Sequence, residues 1–127
     1  MRLLLYVTAP DMETGRRLAR LLVEKRLAAG VNIVPGVLSV YRWRGAVREH
    51  GECLLLAQIA EAAFEDARAL LAREHPYEVP CVTAVPLRRG HAPFLRWIDD
   101  NSLPADDERR GPRNLKISNG DNPQREE

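Results

Sequence analysis

The sequence predicts an α+β fold. It is an antiparallel sheet built in the order β-α-β-β-α-β, with helices on one face, a long central hairpin and a short C-terminal helix. Three observations carry this expectation. Residues 31–59 read as two apolar strands around one tight turn. Residues 12–28 and 61–74 carry apolar side chains at helical spacing. Short apolar runs at 3–7 and 81–87 supply a strand at either end.

In chain order, Leu3-Leu4-Leu5-Tyr6-Val7 is continuously apolar and reads as a central strand buried on both faces. Asp11 then caps a helix, with Glu13 at the positive end of its dipole. Leu18, Leu21, Leu22 and Val23 form its expected buried stripe, Gly15 is a weak point, and Gly30 is placed as a left-handed C-cap. The hairpin follows, with Arg44-Gly45 as its turn and Pro35-Gly36 as a kink in the first arm. A second helix presents Phe64, Ala67, Leu70 and Leu71 and stops at His75-Pro76, because a residue before Pro avoids the α region. A Pro-bounded connection, a last strand from Cys81 and a short helix carrying Phe94, Leu95, Trp97 and Ile98 complete the domain over 1–101. Residues 102–127 are Pro-interrupted and polar and read as a flexible tail, with Leu115 and Ile117 as the only local anchors. This order is the split β-α-β of the ferredoxin-like fold.

The hairpin constrains assembly as well as fold. Each arm is about 13 residues, roughly 43 Å when extended, whereas a domain of about 100 residues has a radius of gyration near 13 Å. Such arms outrun their own domain and leave edge and apolar surface uncovered. Leu54, Leu55 and Leu56 are apolar in succession, so both faces of the second arm call for burial. Another copy of the chain is the expected cover.

Composition narrows the function classes. The 127 residues are 45% hydrophobic and 29% charged, ordinary for one globular domain. A net charge of +1 gives no electrostatic case for nucleic acid or an anionic membrane. The two cysteines, Cys53 and Cys81, form no CxxC pair, which fits a reduced, cytoplasmic setting. No run approaches the ~20 apolar residues of a membrane span, and the first strand begins almost at Met1, so no signal peptide is expected. Ser-His-Asp, HExxH and GxxxxGK[ST] patterns are absent, and no enzyme is expected.

Several stretches together resemble one family. Thr8-Ala9-Pro10-Asp11, Leu27-Ala28-Ala29, Val31-Asn32-Ile33-Val34-Pro35-Gly36, Ser39-Val40-Tyr41-Arg42-Trp43-Arg44-Gly45 and His75-Pro76-Tyr77-Glu78-Val79-Pro80 are similar in order and spacing to the CutA divalent-cation tolerance proteins. The resemblance covers residues 3 to about 101. It implies a ferredoxin-like homotrimer whose long hairpins pair between subunits, related in architecture to the PII signalling proteins. It also implies a link to copper and other divalent cations, with no tightly bound cofactor and no established reaction. Gly30 stands where many bacterial members carry Cys, Cys81 replaces a common acidic residue, and Gln58 replaces a frequent Lys.

The candidate metal ligands are His75 and Cys81, joined by a Pro-rich bend that lets them converge, with Glu78 between them. An imidazole with a thiolate suits copper or zinc. The bland readings are a helix-capping histidine and a buried apolar cysteine. His50 and Cys53 are an odd number of residues apart on one strand and point to opposite faces. Tyr41 and Trp43 share a strand face and read either as subunit-interface anchors or, with Tyr77 and Glu78, as the wall of an inter-subunit cleft for a small molecule. Pro35-Gly36-Val37 with Arg42 bears a faint likeness to an acylphosphatase phosphate loop, but 37–43 reads as strand. RNA binding would need aromatics on a basic sheet, which the charge opposes.

Overall fold

The computed structural model describes residues 1–103. The tail expected over 102–127 falls outside these apart from Ser102 and Leu103. The elements are β1 (Arg2–Ala9), α1 (Met12–Glu24), β2 (Gly30–Trp43), β3 (Ala46–Ala60), a 3₁₀ turn (Glu61–Ala63), α2 (Phe64–Glu74), β4 (Val82–Leu87) and α3 (Ala92–Asn101). The four strands form one antiparallel sheet in the order β2-β3-β1-β4. The expected β-α-β-β-α-β order and the short last helix are therefore present.

Local chemistry accounts for the ends of α1. The Asp11 carboxylate accepts the Thr14 N–H at 2.7 Å, satisfying an orphan donor of the first turn. At the other end Arg26 turns left-handed, with φ of 61°. Its N–H donates to Val23 O and the Leu27 N–H to Leu22 O, the paired bonds of a Schellman ending. The helix thus closes at Glu24, short of 28, and the left-handed residue is Arg26. Gly30, expected in that role, is the first residue of β2. The buried stripe is Gly15, Leu18, Ala19 and Leu22, and Val23 is 40% exposed, one position off that face. Gly15 is a close-approach site: a Cβ there would lie 2.6 Å from Cys53 Sγ.

The pleat sorts the sheet into two unlike faces. Leu5, Val7 and Ala9 of β1 and Cys53, Leu55, Ala57 and Ile59 of β3 are buried with Leu18 and Leu22 of α1 and Ala67, Leu70 and Leu71 of α2. On the opposite face Tyr6 is 40% exposed, and Leu54 and Leu56 are half-buried. Within one chain, β1 is therefore covered on one face, not both. Helix α3 closes the far end of this second face. Trp97 stands against Gly30, where a Cβ would come within 3.0 Å of its ring. Ser102 staples the chain beyond α3. It is 1% exposed, accepts the Ala60 N–H at 2.8 Å and donates to Leu27 O at 3.1 Å.

The hairpin is long, with 14 residues in β2 and 15 in β3. Arg44 and Gly45 have φ of 53° and 79°, so both central turn residues are left-handed, as a type I′ turn requires. Register shifts between Val34, opposite Leu54, and Val37, opposite Glu52. Pro35 and Gly36 together face Cys53 alone, which is a β-bulge, and Gly36 supplies its φ of 75°. The expected kink is this bulge. Beyond it the chain outruns its core: Leu38 is 66%, Val40 59% and Val47 64% exposed.

Candidate functional site: an aromatic and acidic cleft

The bulge decides what the open face presents. In β3 the even-numbered residues Leu56, Leu54 and Glu52 lie on the face away from α1 and α2, because their neighbours Leu55 and Cys53 are core. Before the bulge β2 matches them with Asn32 and Val34; after it, with Val37, Ser39, Tyr41 and Trp43. One extra residue has switched the parity of the strand. Tyr41 and Trp43 thereby reach the same face as Glu52 of β3 and as Tyr6 and Thr8 of β1.

The connection from α2 to β4 builds the other wall. Pro76 forces His75 into an extended conformation, with ψ of 140°, and ends α2. The chain then passes through Tyr77, Glu78 and Val79 to Cys81. Together these segments enclose a cleft of about 590 Å³ lined by Tyr41, Trp43, Tyr77, Glu78 and Cys81, with Tyr6, Thr8, Ser39, Glu52, Pro76 and Val79. The Tyr77 hydroxyl donates to the Glu52 carboxylate at 2.6 Å. Burial, and then the neighbouring Glu52 carboxylate, hold the Tyr77 phenol protonated to well above its ordinary pKa. Arg44 at the hairpin tip donates to Glu78 at 2.8 Å and lies 5.3 Å from the centroid of the Trp43 ring. The tip is thus tied to the α2–β4 connection. On the same face, Tyr41 and His50 pair through the hydroxyl and Nδ1.

All four residues expected in a cleft, Tyr41, Trp43, Tyr77 and Glu78, line this one. The residues considered for metal are placed differently. Cys81 is exposed and lines the cleft. His75 is 6% exposed and is not part of that lining. Its Nε2 donates to Thr8 O at 2.8 Å, which leaves Nδ1 to accept the Tyr77 N–H at 3.1 Å. Both ring nitrogens are engaged, so His75 as folded has no lone pair for a metal. Its place is to pin the α2–β4 connection to β1. Cys53 is buried, its thiol donates to Asp11 O at 3.3 Å, and burial, with the Asp11 charge second, pushes its pKa up. Among the described residues no three His, Cys, Asp or Glu side chains converge as a metal centre. At Gly30, the Gln58 amide oxygen and the Trp97 ring fill the space a longer side chain would take. The phosphate-loop likeness is absent: residues 35–36 are the bulge and 37–43 are strand.

Sequence reasoning missed Tyr6, Thr8, Ser39 and Glu52. Tyr6 was hidden in an apolar run, although a phenol in such a run is itself a sign of a face that is not core. Glu52 could be found only with the register in hand, since it is the bulge that aligns it with Tyr41 and Trp43.

Comparison with known proteins gives one consistent family. The model for the CutA1 divalent ion tolerance protein family matches residues 3–101. The divalent-cation tolerance protein CutA of Thermus thermophilus is 42% identical over 102 residues, covering 80% of this chain and 99% of that protein. Its counterpart in Archaeoglobus fulgidus is 38% identical over 96 residues, covering 76% of this chain and 93% of that one. The chain spans only about half of the longer plant and mammalian relatives, 56% in the chloroplastic rice protein. The solved Thermus thermophilus structure superposes with a TM-score of 0.80, covering 81% of this chain and all of that one at 42% identity. A structure from Archaeoglobus fulgidus, described as a periplasmic divalent cation tolerance protein, gives 0.78 at 36% identity, with 81% of this chain and 100% of that one covered.

Proposed function

Since the chain belongs to the CutA1 divalent ion tolerance protein family, we propose that it serves divalent-cation tolerance as a non-catalytic, cytoplasmic homotrimer whose ligand surface is the cleft beside the hairpin. The observation that carries this is the overhang of β2 and β3, which leaves Leu38, Val40 and Val47 more than half exposed. Apolar strand surface of this kind is a docking surface for another chain. The strands that overhang are also the ones that form the cleft, so assembly and ligand binding are coupled through one element.

Contact with divalent metal, copper included, is weak in this reading. The cleft offers the Glu52 and Glu78 carboxylates and the Cys81 thiol, one soft donor and two hard ones. A cation there keeps much of its water. Titration of copper(II) or zinc into the full chain is expected to show weak saturable binding that Cys81→Ser reduces. Binding that is tight and indifferent to Cys81 would place the metal elsewhere.

A second reading is favoured by the cleft itself. Its volume of about 590 Å³ lies within the range of small-molecule sites, and its aromatic lining suits an organic ligand better than a bare ion. In that reading the protein is a PII-like sensor. Native mass spectrometry on protein purified without chelators separates the two, because a retained organic molecule and a retained metal differ in added mass.

A further inference from the structure

The chemistry of the cleft narrows the second reading to one ligand class. Among the described residues its lining contains two carboxylates, Glu52 and Glu78, and no Lys, Arg or His. Glu78 is already neutralised from outside by Arg44 at 2.8 Å. Arg48, opposite Tyr41 in the ladder, donates from Nε to the Trp43 carbonyl at 3.3 Å, and His50, on the same strand face as Glu52, pairs through Nδ1 with the Tyr41 hydroxyl. Glu52 is left with the uncharged Tyr77 hydroxyl as its hydrogen-bond donor and with no ion pair among the described residues. The cleft therefore carries a carboxylate in need of a counter-charge, half-buried among aromatic rings. Those rings are of the kind that accept cations: Trp43 already holds the Arg44 guanidinium 5.3 Å from its centroid.

We propose that the cleft binds a small organic cation, a substituted or quaternary ammonium, with Trp43, Tyr41 and Tyr77 as its aromatic wall and Glu52 as its counter-charge. Three features favour this over a bare divalent ion. Aromatic faces attract a diffuse, weakly hydrated cation but do nothing for a strongly hydrated one. The volume exceeds what an ion needs. And the donors do not converge as a metal centre among the described residues. An anionic ligand is disfavoured outright by Glu52. The proposal rests on the sensor reading of the cleft.

The test uses the full chain and tetramethylammonium chloride as the probe. Tryptophan fluorescence follows the titration, with potassium chloride at equal ionic strength as the blank and tert-butyl alcohol as the uncharged analogue. Trp97 is buried and outside the cleft, so Trp43 supplies the response, which Trp43→Phe removes. The expected result is saturable millimolar binding, at least tenfold weaker in Glu52→Gln and at least tenfold weaker for the alcohol. Glu52→Gln keeps an acceptor for the Tyr77 hydroxyl, so its fold is expected to persist, and Tyr77→Ala, which removes a ring of the wall, offers a second variant with the expected loss. No saturable response, equal binding of the alcohol, or unchanged affinity in Glu52→Gln would overturn the proposal. Those failures are separable from failure of the sensor reading, which shows in the native mass spectrum as a retained metal and no retained organic molecule.

Discussion

At the scale of single residues, the polar side chains that matter most are those that tie segments together. Ser102 is buried and serves two backbone groups at once, the Ala60 N–H and the Leu27 carbonyl. Ser102→Ala orphans both, and each buried unpaired group costs about 1–3 kcal/mol. A urea midpoint lowered by that loss divided by m, at unchanged m, is the expected result. Asp11 shows how a cap makes stability depend on pH. Its hydrogen bonds from Thr14 hold the carboxyl below its ordinary pKa. A depressed folded-state pKa means that the charged cap stabilises the fold above the unfolded value of about 4, and that this stabilisation is lost as pH falls through the lower folded value. Asp11→Asn keeps a capping oxygen but cannot titrate, so its urea midpoint should fall less steeply below about pH 4 than that of the parent. The Asp11 cap was legible from residue type and position alone. The place of His75 was not, because the two backbone groups that engage its ring, Thr8 O and the Tyr77 N–H, meet only in the folded chain.

At the scale of elements, the hairpin with its turn and kink was legible because Gly45 and Pro35-Gly36 are local signals. The left-handed Arg26 was not, since nothing in an arginine marks it for φ of 61°. The cleft was half legible. Period two placed Tyr41 and Trp43 on one face, and Tyr77 and Glu78 followed from the Pro-bounded bend. Their meeting with Glu52 depends on the bulge, whose register no spacing rule supplies. The bulge can be tested by a matched pair of glycines. Gly36 and Gly51 both have open space where a Cβ would go, but only Gly36 has a positive φ, of 75°. Gly36→Ala should destabilise by about 1–2 kcal/mol, the cost of a left-handed non-glycine residue. Gly51→Ala should be neutral or stabilising, by up to about 1 kcal/mol. Deleting Gly36 removes the extra residue but leaves Pro35 opposite Cys53 and Val37 opposite Glu52, so Tyr41 and Trp43 should keep the face they share with Glu52. The far-UV circular dichroism and the ammonium response of Trp43 should then both persist.

At the scale of the whole molecule, a single chain leaves its hairpin arms uncovered. The helices cover one face of the sheet, α3 closes one end of the other, and the hairpin continues past both. Among the described residues no helix is long and apolar enough to cross a membrane, so the exposed apolar arms are not explained by a helical span. Leu38, Val40 and Val47 are exposed in one chain because their cover lies in another, in the reading proposed above. Folding and association are then linked, and thermal stability should rise with protein concentration. The runs of leucine in β3 already announced a strand that wants burial on both faces; how many copies supply it is a property of the assembly. The most direct test is sedimentation equilibrium on the full chain, with a Leu38→Lys, Val40→Lys double variant beside it. A homotrimer closed through the hairpin arms gives a mass of three times 14.3 kDa for the parent and dissociation in the variant. A parent that sediments as a stable, folded 14.3 kDa monomer would contradict it.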